Sequence, residues 1–214
     1  MFYRPKDGHG LPHDPFKAIV APRPIGWVST LDLQGRANLA PYSFFNGCGD
    51  RPPHVMFAQT GPKSPGGIEV KDTVTNCIET GEFACSLVSQ ALKDAMNVST
   101  EAFDAGVDEF DKAGLAKADG IAIKAPHVAD APAVLECKTV QTVELPTWKD
   151  GWRNIIVIGE VVGVHVDEAH LKDGLLDVLS YNPVARMGYM DYTTVTDRWE
   201  MQRPESEAWI AKGS

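Results

Sequence analysis

Between Arg153 and Val166 the chain is almost continuously β-branched. As an extended strand this segment spans roughly 45 Å. Flat strands rarely run so far, and Gly159 and Gly163 interrupt the run. Glycine inside a strand pattern marks a bulge or a bend of the kind found at barrel corners. A chain with such a strand is constrained to a curved sheet, and the question becomes what pairs with it.

The flanking sequence supplies partners. Val134–Leu145 alternates polar and apolar residues, and Ile25–Leu31, Arg36–Phe45, His54–Gln59 and Glu82–Val88 carry strand composition. Asp32-Leu33-Gln34-Gly35 is turn chemistry, so Ile25–Leu31 and Arg36–Phe45 are expected to form an antiparallel hairpin. Lys17–Ala21 is expected to add a short strand before it, and Thr193–Thr196 a last one. Apolar spacing predicts a helix after Lys71, capped by Asp72 or Thr73 and ended by Gly81. Similar spacing predicts helices over Gln90–Val98 and His170–Tyr181, and surface helical turns within Thr100–Lys117. Short strands joined by turns, with helices inserted rather than alternating, favour an antiparallel sheet closed into a barrel over a doubly wound α/β fold. Residues 1–16 read as an extended arm, 17–200 as one domain and 201–214 as a tail.

Composition narrows the partners. With 20 basic and 29 acidic residues the net charge is −9, which argues against nucleic acid or an anionic membrane as the main partner. Cys48, Cys77, Cys85 and Cys137 form no C-x-x-C pair and sit among apolar neighbours, so buried thiols, a reducing cytoplasmic setting and no metal site are expected. Neither a signal core nor a long apolar run is present, and G-x-G-x-x-G and the phosphate-binding P-loop motif are missing.

Three segments carry candidate chemistry. In Ala21-Pro22-Arg23-Pro24-Ile25-Gly26-Trp27-Val28-Ser29-Thr30, two prolines fix the backbone around Arg23, which suits an anionic ligand and equally a solvated strand entrance. In Ala40-Pro41-Tyr42-Ser43-Phe44-Phe45-Asn46, alternation is expected to put Ser43 and Phe45 on one face and Tyr42 and Phe44 on the other. Ser43 and Asn46 then offer polar groups to a heterocycle, or simply stabilise a turn. Lys71-Asp72-Thr73-Val74-Thr75-Asn76 opens a helix whose free N–H groups, with Lys71 and Thr73, make either an anion site or a plain capped surface helix. No catalytic triad is visible.

Jointly and in this order, these segments strongly resemble the flavin reductase-like family, the FMN-binding split-barrel group that includes reductase components of two-component monooxygenases and flavoredoxin-type proteins. Leu135-Glu136-Cys137, Ile158-Gly159-Glu160-Val161-Val162-Gly163 and Arg186-Met187-Gly188-Tyr189 extend the resemblance over roughly residues 15–192. It implies a six-stranded antiparallel Greek-key split barrel with helical insertions, usually homodimeric, that binds FMN. It implies that Ser29, Thr30 and residues Tyr42, Ser43, Phe44 and Asn46 line the flavin ring and ribityl chain. Lys71, Asp72, Thr73 and Asn76 would hold the phosphate, with Arg23 close to the flavin and Arg186 and Tyr189 bordering the site. The implied activity is hydride transfer from NADH or NADPH to FMN, with reduced flavin passing to a partner monooxygenase. Two alternatives are an FMN electron carrier without dinucleotide turnover and an FMN enzyme with its own organic substrate. The family's Gly-Asp-His-type element is replaced by Trp148-Lys149-Asp150-Gly151-Trp152-Arg153-Asn154, so Trp148, Trp152 and Arg153 are candidates for substrate binding or an exposed loop.

Overall fold

The computed structural model describes residues 1–63, 67, 69–104 and 106–201. The tail expected at 201–214 lies outside the described residues beyond Met201. Among the described residues fourteen strands occur in chain order: β1 (Arg23–Pro24), β2 (Gly26–Leu31), β3 (Ala37–Tyr42), β4 (Phe45–Asp50), β5 (Pro53–Thr60), β6 (Glu82–Leu87), β7 (Lys117–Ala118), β8 (His127–Val128), β9 (Ala133–Leu145), β10 (Asn154–Val166), β11 (Leu171–Lys172), β12 (Leu175–Leu176), β13 (Val184–Arg186) and β14 (Tyr192–Thr194). The α-helices are α1 (Phe16–Ile19), α2 (Asp72–Thr80), α3 (Lys93–Val98) and α4 (Glu109–Ala113). No helix among the described residues is long and apolar enough to cross a membrane.

Seven strands form one antiparallel sheet in the order β3-β2-β6-β9-β10-β5-β4. Its edge strands β3 and β4 are consecutive in the chain, joined only by Ser43 and Phe44. So short a link reaches at most about 11 Å. The two edges of the sheet must therefore meet, and the sheet is a barrel. The expected return strand Arg36–Phe45 is divided at this corner into β3 and the start of β4.

The long strand β10 pairs with β9 on one side and β5 on the other. Its ladder to β9 shifts register at Ile158/Gly159 and again at Val161/Gly163, the two glycines singled out in the sequence. Space explains the first: a Cβ on Gly159 would stand 2.5 Å from the Phe83 ring and 3.1 Å from Cys137 Cβ.

Strands β2 and β6 are buried on both faces, and their polar residues Ser29, Thr30, Glu82 and Ser86 are buried with the apolar ones. Val28, Phe83 and Cys85 face an interior cluster with Phe57, Val74 and Val157, while Trp27 and Ala84 join an outer cluster with Leu39, Phe110 and Val134. Helix α2 packs against β2, β3, β6, β9 and β10, with Val74 and Cys77 in the interior cluster. Cys77, Cys85 and Cys137 are buried free thiols whose pKa values burial pushes up. Cys48, on edge strand β4, is exposed, contrary to expectation.

Other expectations are corrected. Lys17–Ala21 is not a strand: Asp14 Oδ1 accepts from Phe16 N–H, and residues Phe16–Ile19 form the helical turn α1. His170–Tyr181 is not a helix either. Asp173 and Gly174 take positive φ (53° and 77°), and this Asp-Gly turn folds β11 onto β12. Helix α2 is capped at Lys71, with no side-chain cap, while its expected stop, Gly81, takes the left-handed conformation. Among the described residues of Thr100–Lys117 the α-helix is α4 alone, and its Glu109 and Phe110 are buried rather than on the surface. Tyr42 and Phe45, expected on opposite faces, both pack in the interior cluster because the strand breaks between them.

A buried carboxylate anchors the segment crossing the barrel wall. Glu136 is fully buried and accepts from the N–H groups of Ile121 and Ala122 at 2.7 and 2.6 Å and from His165 Nε2 at 2.5 Å. Burial alone would raise its pKa. The His165 and backbone hydrogen bonds outweigh that and hold the carboxyl below its ordinary 4.5. A depressed carboxyl contributes stability above its unfolded pKa and loses it as pH falls through the folded one. Glu136→Gln is therefore expected to cost about 2–3 kcal/mol at pH 7. In urea titrations across pH 7 to 3 its stability should fall less steeply than wild type below pH 4.5; parallel curves would contradict this. Gly159→Ala is expected to lower stability by about 1–3 kcal/mol through overpacking against Phe83, read from the urea midpoint.

Candidate functional site

The sheet corner Pro41–Phe44, the start of α2 and the small sheet β1-β13-β14 surround a cleft of about 200 Å³. Its walls include the aromatic side chains of Tyr42, Phe44, Tyr189 and Tyr192. Lys17, Arg23, Lys71 and Arg186 also line it, and no carboxylate does among the described residues. Nor does any of these four cations have a carboxylate within 4.0 Å among the described residues.

Each cation is held differently. Lys71, at the N-cap of α2, is half-buried with its ammonium 5.5 Å from the Tyr42 ring centroid. Burial first, and then neighbouring Lys17, push its pKa below the ordinary 10.5. Arg23 is 7% exposed. Its Nη1 donates to the carbonyls of Lys17 and Val20, and its Nη2 to that of Met187 at 2.9 Å. The guanidinium thereby ties α1 to the loop after β13. Its Nε–H, buried in the cleft wall, has no acceptor among the described residues, and neither has the buried Tyr42 hydroxyl. Arg186 donates to Tyr189 O at 2.5 Å and stacks over Tyr192, 4.3 Å from the ring centroid. Tyr189 itself is held at φ +56°, a left-handed conformation uncommon outside glycine.

Of the residues expected to form the site, Arg23, Tyr42, Ser43, Phe44, Lys71, Arg186 and Tyr189 do line this cleft. Others do not. Ser29 is fully buried and donates to Pro126 O at 2.5 Å. Thr30, Thr73 and Asn76 belong to a buried network in which Asn76 Nδ2 donates to Thr30 Oγ1 (2.9 Å) and Thr73 Oγ1 to Asn38 Oδ1 (2.6 Å). Asn38 Nδ2 then donates to Glu109 Oε1 at 3.1 Å, and Leu39 N–H to Glu109 Oε2 at 2.9 Å. This network fastens α2 and α4 to β2 and β3. Burial raises the Glu109 pKa, against the pull of the Leu39 and Asn38 hydrogen bonds. Asp72 pairs with Lys63 at 2.6 Å in a second recess beside Lys71. Asn46 is exposed on β4 and accepts from Gly47 N–H.

The Trp148–Trp152 segment lies outside the cleft, at the β9–β10 tip. Trp148 is 80% exposed, and Trp152 packs on Gly61 beneath the Lys149 ammonium, 4.8 Å from its ring centroid. Arg153 makes a bidentate pair with Glu144, both contacts at 2.7 Å. Lining residues that sequence reasoning missed include Lys17, Ala58, Thr60, Met96, Thr100 and Tyr192. Only Tyr192, an aromatic just beyond Arg186-Met187-Gly188-Tyr189, left a usable signal.

The donors suit a phosphorylated, planar ligand: Lys71 at a helix start, three further cations without a carboxylate partner among the described residues, orphaned buried donors, and aromatic walls. The model of the flavin reductase like domain matches residues 20–183. A protein of Deinococcus radiodurans is 40% identical over 200 residues, covering 90% of this chain and 84% of that protein. The crystal structure of nitrilotriacetate monooxygenase component B from Bacillus cereus superposes with a TM-score of 0.84 at 25% identity, covering 94% of this chain and 98% of the other. That of Pseudomonas fluorescens 2-nitrobenzoate 2-nitroreductase gives 0.75 at 28% identity, covering 88% of each chain. The match over most of the chain, on a closed antiparallel sheet, establishes that this protein belongs to the flavin reductase-like family of split-barrel, flavin-related oxidoreductases.

Proposed function

We propose that the protein binds FMN in this cleft and transfers hydride to it from NADH or NADPH. The observation that carries the reading is the half-buried Lys71 at the N-cap of α2, with no carboxylate within 4.0 Å among the described residues, beside aromatic walls. FMN phosphate is close to dianionic at neutral pH. Lys71 and the free N–H groups of the helix start supply its countercharge. Bound flavin supplies the hydride chemistry; the protein's part is to hold two rings face to face and exclude water. Tyr42, Phe44 and Tyr189 are the ring-facing candidates, and the orphaned Tyr42 hydroxyl and Arg23 Nε–H are donors without a protein acceptor.

The likeness to a monooxygenase component B supports a role in passing reduced flavin to a partner oxygenase. The homodimer implied by the resemblance is supported by exposed Phe16, Ile19, Val20 and Met190, which flank cleft residues Lys17 and Tyr189. A second reading, an FMN enzyme acting on its own organic substrate, is favoured by a cleft with more cations than one phosphate requires.

Thr73 donates within the buried network, so the clean test of the phosphate site is Lys71→Ala alone. FMN affinity, followed by flavin fluorescence, is expected to fall at least tenfold, about 1.4 kcal/mol. Unchanged affinity would remove Lys71 from the site. Anaerobic NADH and NADPH titrations are expected to bleach the flavin absorbance of the purified protein. NAD(P)H oxidation that rises with added FMN supports the flavin-donor role, and a rate that stays flat argues for the second reading.

A further inference from the structure

Arg23 and Arg186 are register partners across the β1–β13 ladder, and both line the cleft. Residues directly opposite in an antiparallel pair present their side chains to the same face, and like charges so placed repel. Burial strengthens that repulsion. The effect reaches Arg23, whose pKa is lowered first by burial and then by the Arg186 charge. An Asp or Glu at the cleft would relieve it, yet none lines the cleft among the described residues.

The two guanidiniums are also held as planar platforms. Arg186 stacks on Tyr192 at 4.3 Å, and Arg23 stands over Phe44 at 5.7 Å. Three carbonyls occupy Arg23 Nη1 and Nη2, but its Nε–H is buried without an acceptor. Arg186 has one nitrogen engaged, by Tyr189 O and Met190 Sδ. Planar, fixed donor forks match the geometry of an oxyanion better than a flexible ammonium does.

We propose that Arg23 and Arg186 form a second oxyanion subsite of the cleft, separate from Lys71, which holds the carboxylate or phosphate of the reacting partner rather than of the flavin. The proposal rests on the FMN reading only for its claim that another anion occupies Lys71. Arg23 fixes the subsite from below while tying α1 in place, so Arg186, half-buried at the cleft, is the position to vary.

The test is calorimetry on flavin-free full-length protein with two probes, benzoate as a planar carboxylate and NADPH as a phosphate-bearing dinucleotide. Wild type is expected to bind at least one probe. Arg186→Ala and Arg186→Gln should each weaken that binding at least tenfold with the thermal midpoint kept within a few degrees, while Lys71→Ala leaves it within threefold. Benzoate binding without NADPH binding assigns the subsite to an organic acid; the converse assigns it to a dinucleotide phosphate. Three results overturn the proposal: neither probe binds wild type, the Arg186 variants bind like wild type, or Lys71→Ala removes the probe as fully as they do. A parallel FMN titration separates the two readings, because failure of wild type to bind FMN defeats the flavin assignment and leaves the probe result standing.

Discussion

The chain passes from one edge of its main sheet to the other through Ser43 and Phe44 alone, and much else follows from that link. A seven-stranded sheet whose edges are so tethered has to curl until β3 and β4 adjoin. The curl requires the long strands to bend, and β10 bends where glycine lets Phe83 and Glu136 approach its backbone. The same corner sets Pro41 and Tyr42, at the end of the β3 ladder, and the linking Ser43 and Phe44 into the wall of the cleft. Closing the barrel and building the site are one structural event.

The second dependence is polar. Asn38, Thr30, Thr73, Asn76 and Glu109 occupy the space between the barrel wall and its helices, where a lone polar group would be costly. Because each finds a partner, the network sets where α2 begins, and therefore where Lys71 stands. Residues with polar side chains beside a helix start thus divide into two roles. Thr73 and Asn76 face inward and position; Lys71 faces the cleft and carries charge.

This division marks the limit of what the sequence discloses. Strand β10, its two glycine bulges, the Gly81 helix stop and the Asp32–Gly35 turn were legible because each is a local preference that packing did not overrule. The expected helix over His170–Tyr181 failed because apolar spacing was weighed above the Asp173-Gly174 turn signal lying inside it. The site was legible as a set of segments, not as a set of side chains. Whether Thr73 or Lys71 points into a cleft depends on Asn38, far away in sequence, and no spacing rule reports that. Arg153 likewise reads as a free cation until Glu144, across the β9–β10 hairpin, is seen to hold it.

Charge completes the argument. A chain with a net charge of −9 repels anions on average, yet four cations without carboxylate partners among the described residues converge on one cleft. At physiological ionic strength the screening length is about 8 Å, so a ligand inside the cleft feels these cations far more than the acidic surface beyond them. Holding the cations together costs stability: burial first, and then the charges of Lys17 and Arg186, lower the pKa values of Lys71 and Arg23. Such a cost persists where binding an anion offsets it. The acidic exterior then disfavours polyanions such as nucleic acid, which must meet the whole surface, while admitting a small anionic ligand that meets only the cleft.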